Sequence, residues 1–213
     1  MVQIGIRDFI RAMNTVVDTV IENEQYFCDL DSVAGDGDFG TSLAKGFSAI
    51  RSSWDSLDMG DIGAFTKDCS LILMEKCGGA SGPIWGNAFL NAAKYSKGKV
   101  ALNLKEIDCF FHSMIEGVQK VGKASLGDKT LLDALIPFEE SLKSSAESGE
   151  TIEEAFEKAV IKAEEGAEST KEIVATKGRA RYLGDRSLGT YDAGAKAIAV
   201  ILSSIKRDLF DKP

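Results

Sequence analysis

The sequence predicts an all-α protein, an up-and-down bundle or closed barrel of about eight antiparallel helices, and three observations carry that prediction. Apolar residues recur at three- and four-residue intervals along most of the chain, no segment shows convincing alternation, and only three prolines interrupt 213 residues. Connections between the periodic segments are short, which favours antiparallel neighbours.

The first predicted helix, over residues 4–26, sets Ile6, Phe9, Ile10, Met13, Val16, Val17, Val20 and Ile21 on one stripe. A loop rich in Asp and Gly follows it. Helices are then expected over 39–54, over 61–76, and from within 78–83 to 95. Asn103-Leu-Lys-Glu106 and Thr151-Ile-Glu-Glu154 fit the capping box, in which two side chains satisfy two orphan backbone donors, and so open helices over 104–124 and 151–175. Helices over 130–148 and 191–209 complete the set. The one other long irregular stretch is 176–189, and such segments in compact domains tend to carry function.

Length and composition fit a single domain spanning residues 1–213. The hydrophobic fraction of 44% and charged fraction of 27% are ordinary for a soluble globular protein, and no apolar run approaches a membrane span. The N-terminus lacks a basic region followed by an apolar stretch and a cleavage site, so a cytoplasmic location is expected. Cys28, Cys69, Cys77 and Cys109 lie in apolar contexts without Cys-x-x-Cys spacing, which predicts buried reduced thiols rather than zinc or disulfides. A net charge of -8 argues against a nucleic-acid partner, which requires a basic face.

The richest chemistry lies in Asp31-Ser-Val-Ala-Gly35-Asp36-Gly37-Asp38-Phe39-Gly40, where three carboxylates crowd a glycine-rich turn. A hard divalent cation would relieve their repulsion, and Mg²⁺ suits them because it completes its shell with water and phosphate oxygens. An EF-hand is excluded: twelve residues counted from Asp36 end on Phe47, and from Asp29 on Gly40, where Glu is required. Gly78-Gly79-Ala80-Ser81-Gly82-Pro83 opens a helix with little side-chain bulk, so its N–H groups suit an anion, although close helix packing would ask for the same residues. Gly127-Asp128-Lys129-Thr130 is a further turn. With Gly122 it is one residue too long for a phosphate-binding P-loop, and a helix rather than a strand precedes it. Between Gly178 and Ala195 the chain mixes glycines with Arg179, Arg181 and Arg186, and arginine grips phosphoryl oxygens bidentately. Asp185 and Asp192 offer those arginines a purely structural pairing as well. His112, the one histidine, falls within a predicted helix and is expected to be a satisfied or surface residue.

Taken together and in this order, these motifs resemble the nucleotide-binding L subunit of dihydroxyacetone kinases over nearly the whole chain. The resemblance implies a closed barrel of eight antiparallel helices with Mg-nucleotide, ADP or ATP, at one end. It makes Asp31, Asp36 and Asp38 ligands of two Mg²⁺ ions. Thr41, Ser42, Gly79, Ala80 and Ser81 would bind the nucleotide, Gly127 and Thr130 would lie beside it, Leu131 or Leu132 would give the base an apolar wall, and Asp192 would close the pocket. Arg179 would be the catalytic arginine on the phosphate side. Where many L subunits carry His and Asn after the third Asp, this chain has Phe39 and Ser42.

The implied activity is phosphoryl transfer to a short ketose such as dihydroxyacetone or erythrulose, bound covalently to a histidine of a separate K subunit. This chain has no counterpart of that subunit and should be inactive alone. The donor is either ATP, exchanged each turnover, or a phosphotransferase M subunit that recharges bound ADP. A homodimer in isolation or a hetero-oligomer with K is expected. Two alternatives stand beside this reading: an ADP-sensing module that docks on a transcription regulator, and a relative of the fatty acid kinase nucleotide domain.

Overall fold

The computed structural model describes residues 2–211. Among them the elements run β1 (Ile4–Gly5), α1 (Ile6–Glu22), α2 (Glu24–Ser32), α3 (Phe39–Ser52), α4 (Ile62–Lys76), α5 (Ser81–Tyr95), β2 (Ala101–Leu102), α6 (Leu104–Gly122), α7 (Leu132–Glu147), α8 (Ile152–Ser169) and α9 (Ala193–Leu209). Helix α1 packs on α3, each helix from α3 to α9 packs on the next, and α9 returns to α1. The ring is therefore closed, as the sequence predicts, with α2 set against α3 and α9 outside it.

Both capping boxes form. The Glu106 N–H donates to Asn103 Oδ1 at 3.0 Å while the Asn103 N–H donates to Glu106 at 2.9 Å, and Thr151 and Glu154 repeat the arrangement at α8. Inside the ring, Phe47, Phe65, Phe138, Leu43 and Leu135 are fully buried. An edge-to-face chain runs Phe9, Phe110, Phe111, Phe138, Phe156, with neighbouring ring centroids 4.8–5.7 Å apart. Such pairs each contribute about 0.5–1.5 kcal/mol beyond their burial. A wholly apolar cavity of about 130 Å³ lies among these rings.

Five expectations need correction. The first helix breaks at Asn23, whose side-chain amide donates to the Thr19 carbonyl at 2.8 Å and competes with the helical ladder. The chain re-enters α2, so Asp31 sits on the last turn of a helix rather than in a loop. Ile4–Gly5 pairs antiparallel with Ala101–Leu102, two strands too short to show any period. Helix α8 stops at Ser169, six residues before the expected end, because the Thr170 carbonyl turns to meet the Lys129 ammonium at 2.7 Å. Residues 180–187 are not irregular but form tight 3₁₀ turns, broken at Gly184 with φ of 55°. Among the thiols, Cys69 and Cys77 are buried, and burial pushes them up to about 12 and about 11, whereas Cys28 and Cys109 are half-buried. No helix among the described residues is long and apolar enough to cross a membrane.

Candidate functional site

Alternation around the ring brings the N-terminal ends of α3, α5, α7 and α9 and the C-terminal ends of α2 and α6 to one end of the barrel. There they surround a cavity of about 260 Å³. Ile84, Trp85, Val118, Ala124 and Leu131 make its apolar wall, and Asp31, Asp36, Asp38, Lys177, Arg179 and Asp192 make its polar side. Each helix N-terminus presents unpaired N–H groups and the positive end of a dipole, so four of them together favour an anion.

The carboxylate cluster is assembled by the turn between α2 and α3. Gly37, at φ of 74°, bends the chain back so that its N–H donates to Asp31 Oδ2 at 2.9 Å. Asp38 occupies the N-cap position of α3 without bonding that helix through its side chain. One oxygen from each of Asp31, Asp36 and Asp38 lies within 4.8 Å of the others. Burial pushes the Asp31 carboxyl above its ordinary value, and the charges of Asp36 and Asp38 add to this while the Gly37 N–H opposes it. These donors fit Mg²⁺: all are hard oxygens, and two ligands of one ion at about 2.1 Å stand at most about 4.2 Å apart, which a small side-chain rotation reaches.

The 170–190 segment closes the site from the other side. Arg179 forms an ion pair with Asp36 across the cavity mouth. Lys129, at φ of 61° and only 2% exposed, reaches into the base of that segment. Its Nζ donates to the carbonyls of Thr170 (2.7 Å), Ser187 (2.6 Å) and Thr190 (2.7 Å), with Ile173 at 3.3 Å. Burial lowers the Lys129 pKa, with the Asp192 charge opposing. Asp133, also buried, shapes the turn beneath: its oxygens accept from the N–H groups of Gly127 at 2.6 Å and Thr130 at 2.7 Å. Asp192 caps α9 by accepting from the Ala195 N–H at 2.7 Å. Desolvation pushes its carboxyl up to about 7, and the negative charges of Asp133 and Asp31 contribute.

Of the residues singled out in the sequence, Asp31, Asp36, Asp38, Ser81, Thr130, Leu131, Arg179 and Asp192 line the cavity. Thr41, Ser42, Gly79, Ala80 and Gly127 do not line it. The Thr41 hydroxyl donates to Glu24 at 3.0 Å, and Ser42 is buried beneath Gly78, where an added Cβ would meet its Oγ at 2.9 Å. Gly79 and Ala80 lie exposed at the entry to α5. Phe39, in place of a polar residue, packs towards Phe27 with ring centroids 6.3 Å apart and lines the cavity. His112 is paired with Glu139 at 3.0 Å and is not among the cavity residues. The sequence motifs include Lys129 and Asp133 but assign neither a role. No sequence signal sets Lys129 apart, because a lysine in a polar turn is ordinarily solvated.

Fold and site define an α-helical barrel with an acidic, anion-receptive mouth. The DAK2 domain model matches residues 33–207. The ADP-binding subunit DhaL of the PEP-dependent dihydroxyacetone kinase of Escherichia coli (strain K12) is 37% identical over 181 residues, covering 85% of this chain and 86% of the relative. The corresponding subunit of kinase 1 of Listeria innocua is 33% identical over 196 residues, covering 92% and 93%. The chain spans only a third of other relatives, such as the L-erythrulose kinase of Pectobacterium atrosepticum, with 35% identity over 204 residues, 91% of this chain and 33% of that one. Among solved structures, the dihydroxyacetone kinase from C. freundii in complex with AMP-PNP and Mg²⁺ superposes with a TM-score of 0.71 at 25% identity, covering 92% of this chain and 33% of that chain. The chain belongs to the DAK2 domain family.

Proposed function

We propose that this chain is the nucleotide-binding subunit of a short-ketose kinase, a single domain over residues 1–213 that carries a phosphoryl group on Mg-nucleotide to a ketose held by a separate K subunit. The observation that carries this reading is the convergence of Asp31, Asp36 and Asp38 beside Arg179 at the mouth of a cavity ringed by four helix N-termini. The names of relatives matched over most of their length, PEP-dependent or PTS-dependent dihydroxyacetone kinase subunits, support it over a regulator-binding module or a fatty acid kinase relative.

In this reading Asp31, Asp36 and Asp38 would hold two Mg²⁺ ions, which would supply charge neutralisation to the phosphates. Ile84, Val118 and Leu131 offer the base an apolar wall, and Ser81 with the α5 N-terminus faces phosphate. Gly79, Ala80, Thr41, Ser42 and Gly127 shape the backbone around these groups. Arg179 exchanges its Asp36 partner for phosphoryl oxygens and spreads the charge that develops as the group leaves. Asp192 holds the start of α9 in place and closes the pocket.

The same relatives favour the phosphotransferase-dependent version, in which ADP stays bound and an M subunit recharges it. Reconstitution with K and M subunits tests this: dihydroxyacetone phosphate should form with phosphoenolpyruvate and the phosphotransferase proteins, and fall away with Arg179→Ala. Product with ATP alone would move the chain to the exchanging version. No product from either donor with dihydroxyacetone or erythrulose would end the kinase reading.

A further inference from the structure

We propose that Lys129 is a positioning residue: its ammonium clamps both ends of the 170–190 segment so that Arg179, carried between them, faces Asp31, Asp36 and Asp38. The proposal rests on the nucleotide-site reading for the role of Arg179. Three short bonds to the carbonyls of Thr170, Ser187 and Thr190 match the three protons of the ammonium. An ammonium taken out of water is tolerated only when its protons are all engaged, and these carbonyls engage them. The four carbonyls come from the start and the end of one segment, so a single cation ties its base shut.

The backbone agrees. A lysine at φ of 61° is strained relative to glycine, which the neighbouring turn uses freely, so the side chain must return what the backbone gives up. Asp128, one residue earlier, adds a second fastening: its carbonyl accepts from the Thr176 N–H at 3.2 Å and its carboxylate bonds the Thr176 hydroxyl. Closer to the tip, Ser187 Oγ accepts from the Ala175 N–H at 2.9 Å and donates to the Gly184 carbonyl at 2.7 Å. Arg179 lies beyond these fastenings with its side chain 64% exposed. Its side chain pairs with Asp36 across the cavity mouth and not with its own turn. Clamping the base is therefore what converts a flexible arginine into a directed one; Lys129 also lines the cavity, but its ammonium protons are taken by these backbone carbonyls.

The test uses the full chain, Mg·ADP as the probe, and the variants Lys129→Met, Arg179→Ala and their combination. Hydrogen exchange should show the Thr176 and Gly189 amides, bonded to Asp128 and Lys171, exchanging at least about tenfold faster in Lys129→Met, with α1 and α4 unchanged. Mg·ADP affinity should fall about tenfold in each single variant, as loss of a charge-assisted contact does, and the double variant should be within about twofold of Arg179→Ala. Equal losses on both backgrounds, or native protection of Thr176 and Gly189, would overturn the proposal. If Lys129→Met fails to fold, Thr176→Val removes the hydroxyl half of the second fastening at an exposed position; it should loosen the same amides and again add little to Arg179→Ala, and full additivity would overturn the proposal. A wild-type chain that does not bind Mg·ADP would instead defeat the nucleotide-site reading, and the exchange data would still decide whether Lys129 holds the segment.

Discussion

Replacing Gly40 by Ala should separate the two helices that build the carboxylate cluster. A Cβ at Gly40 would stand 2.0 Å from the Glu24 carbonyl oxygen, 2.8 Å from the Cys28 nitrogen and 2.9 Å from Cys28 Sγ. Two of those atoms are backbone of α2, so no side-chain rotation relieves the clash, and α2 must move from α3 by more than an ångström. Overpacking of this kind costs about 1–3 kcal/mol, occasionally more. Ala gains about 1 kcal/mol over Gly in a helix, which offsets part of it. The net loss of about 0–2 kcal/mol lowers the melting temperature of a chain this long by up to about 8 °C. Because α2 carries Asp31 and α3 follows Asp38, the same displacement opens the cluster and should weaken Mg²⁺-dependent ADP binding by at least about tenfold. Scanning calorimetry and titration calorimetry read the two effects. Gly122→Ala, with nothing within 4 Å of its added Cβ, should keep or slightly raise the melting temperature. A Gly40→Ala protein with wild-type melting and wild-type affinity would refute the reasoning.

Two further outcomes follow from Asp133, which is buried, and Asp108, which is half-buried. Asp133→Ala strands the N–H groups of Gly127 and Thr130, and denaturant unfolding should show a loss of about 2–4 kcal/mol; a loss under about 0.5 kcal/mol would mean the turn holds without it. Asp108, beside Glu139, is pushed up to about 6 by burial first and by that neighbour second, with His112 and Lys143 opposing. Its folded value lies above its unfolded one, so its contribution is complete below about pH 4 and is lost as pH rises through about 6. Asp108→Asn should therefore gain on the wild type in unfolding free energy between those pH values and hold a constant advantage above them. A difference that does not change with pH would contradict the assignment.

Much of the barrel is legible because its signals are local and repeated. The stripe from Ile6 to Ile21 and the boxes at Asn103 and Thr151 need no knowledge of the rest of the chain. What escaped the sequence depends on partners far along it. Asn23 breaks a helix through a bond to Thr19 that an unbroken stripe does not reveal, and α8 ends early because Lys129, some forty residues away, takes the Thr170 carbonyl. The site divides in the same way. Asp31, Asp36, Asp38 and Arg179 announce themselves by chemistry and spacing, and the barrel end unites them. Lys129 and Asp133 act through backbone groups that carry no sequence mark, so only the folded turn exposes them. Thr41 and Ser42, read as nucleotide contacts, are engaged with Glu24 and set beneath Gly78.

The central claim is that the Asp31, Asp36 and Asp38 cluster and the barrel-end cavity form one metal-nucleotide site. The direct measurement is the melting temperature of the chain, freed of bound nucleotide, with ADP, with Mg²⁺ and with both, for the wild type and Asp36→Asn. With both ligands at about one hundred times the dissociation constant, stability should rise by about 2.7 kcal/mol, a shift of about 5–10 °C. That shift should require both ligands and disappear in Asp36→Asn, whose exposed ion pair with Arg179 contributes little stability of its own. A chain that melts at the same temperature without ligand and under all three of these conditions, or an ADP shift that survives without Mg²⁺ and in the variant, would contradict the account.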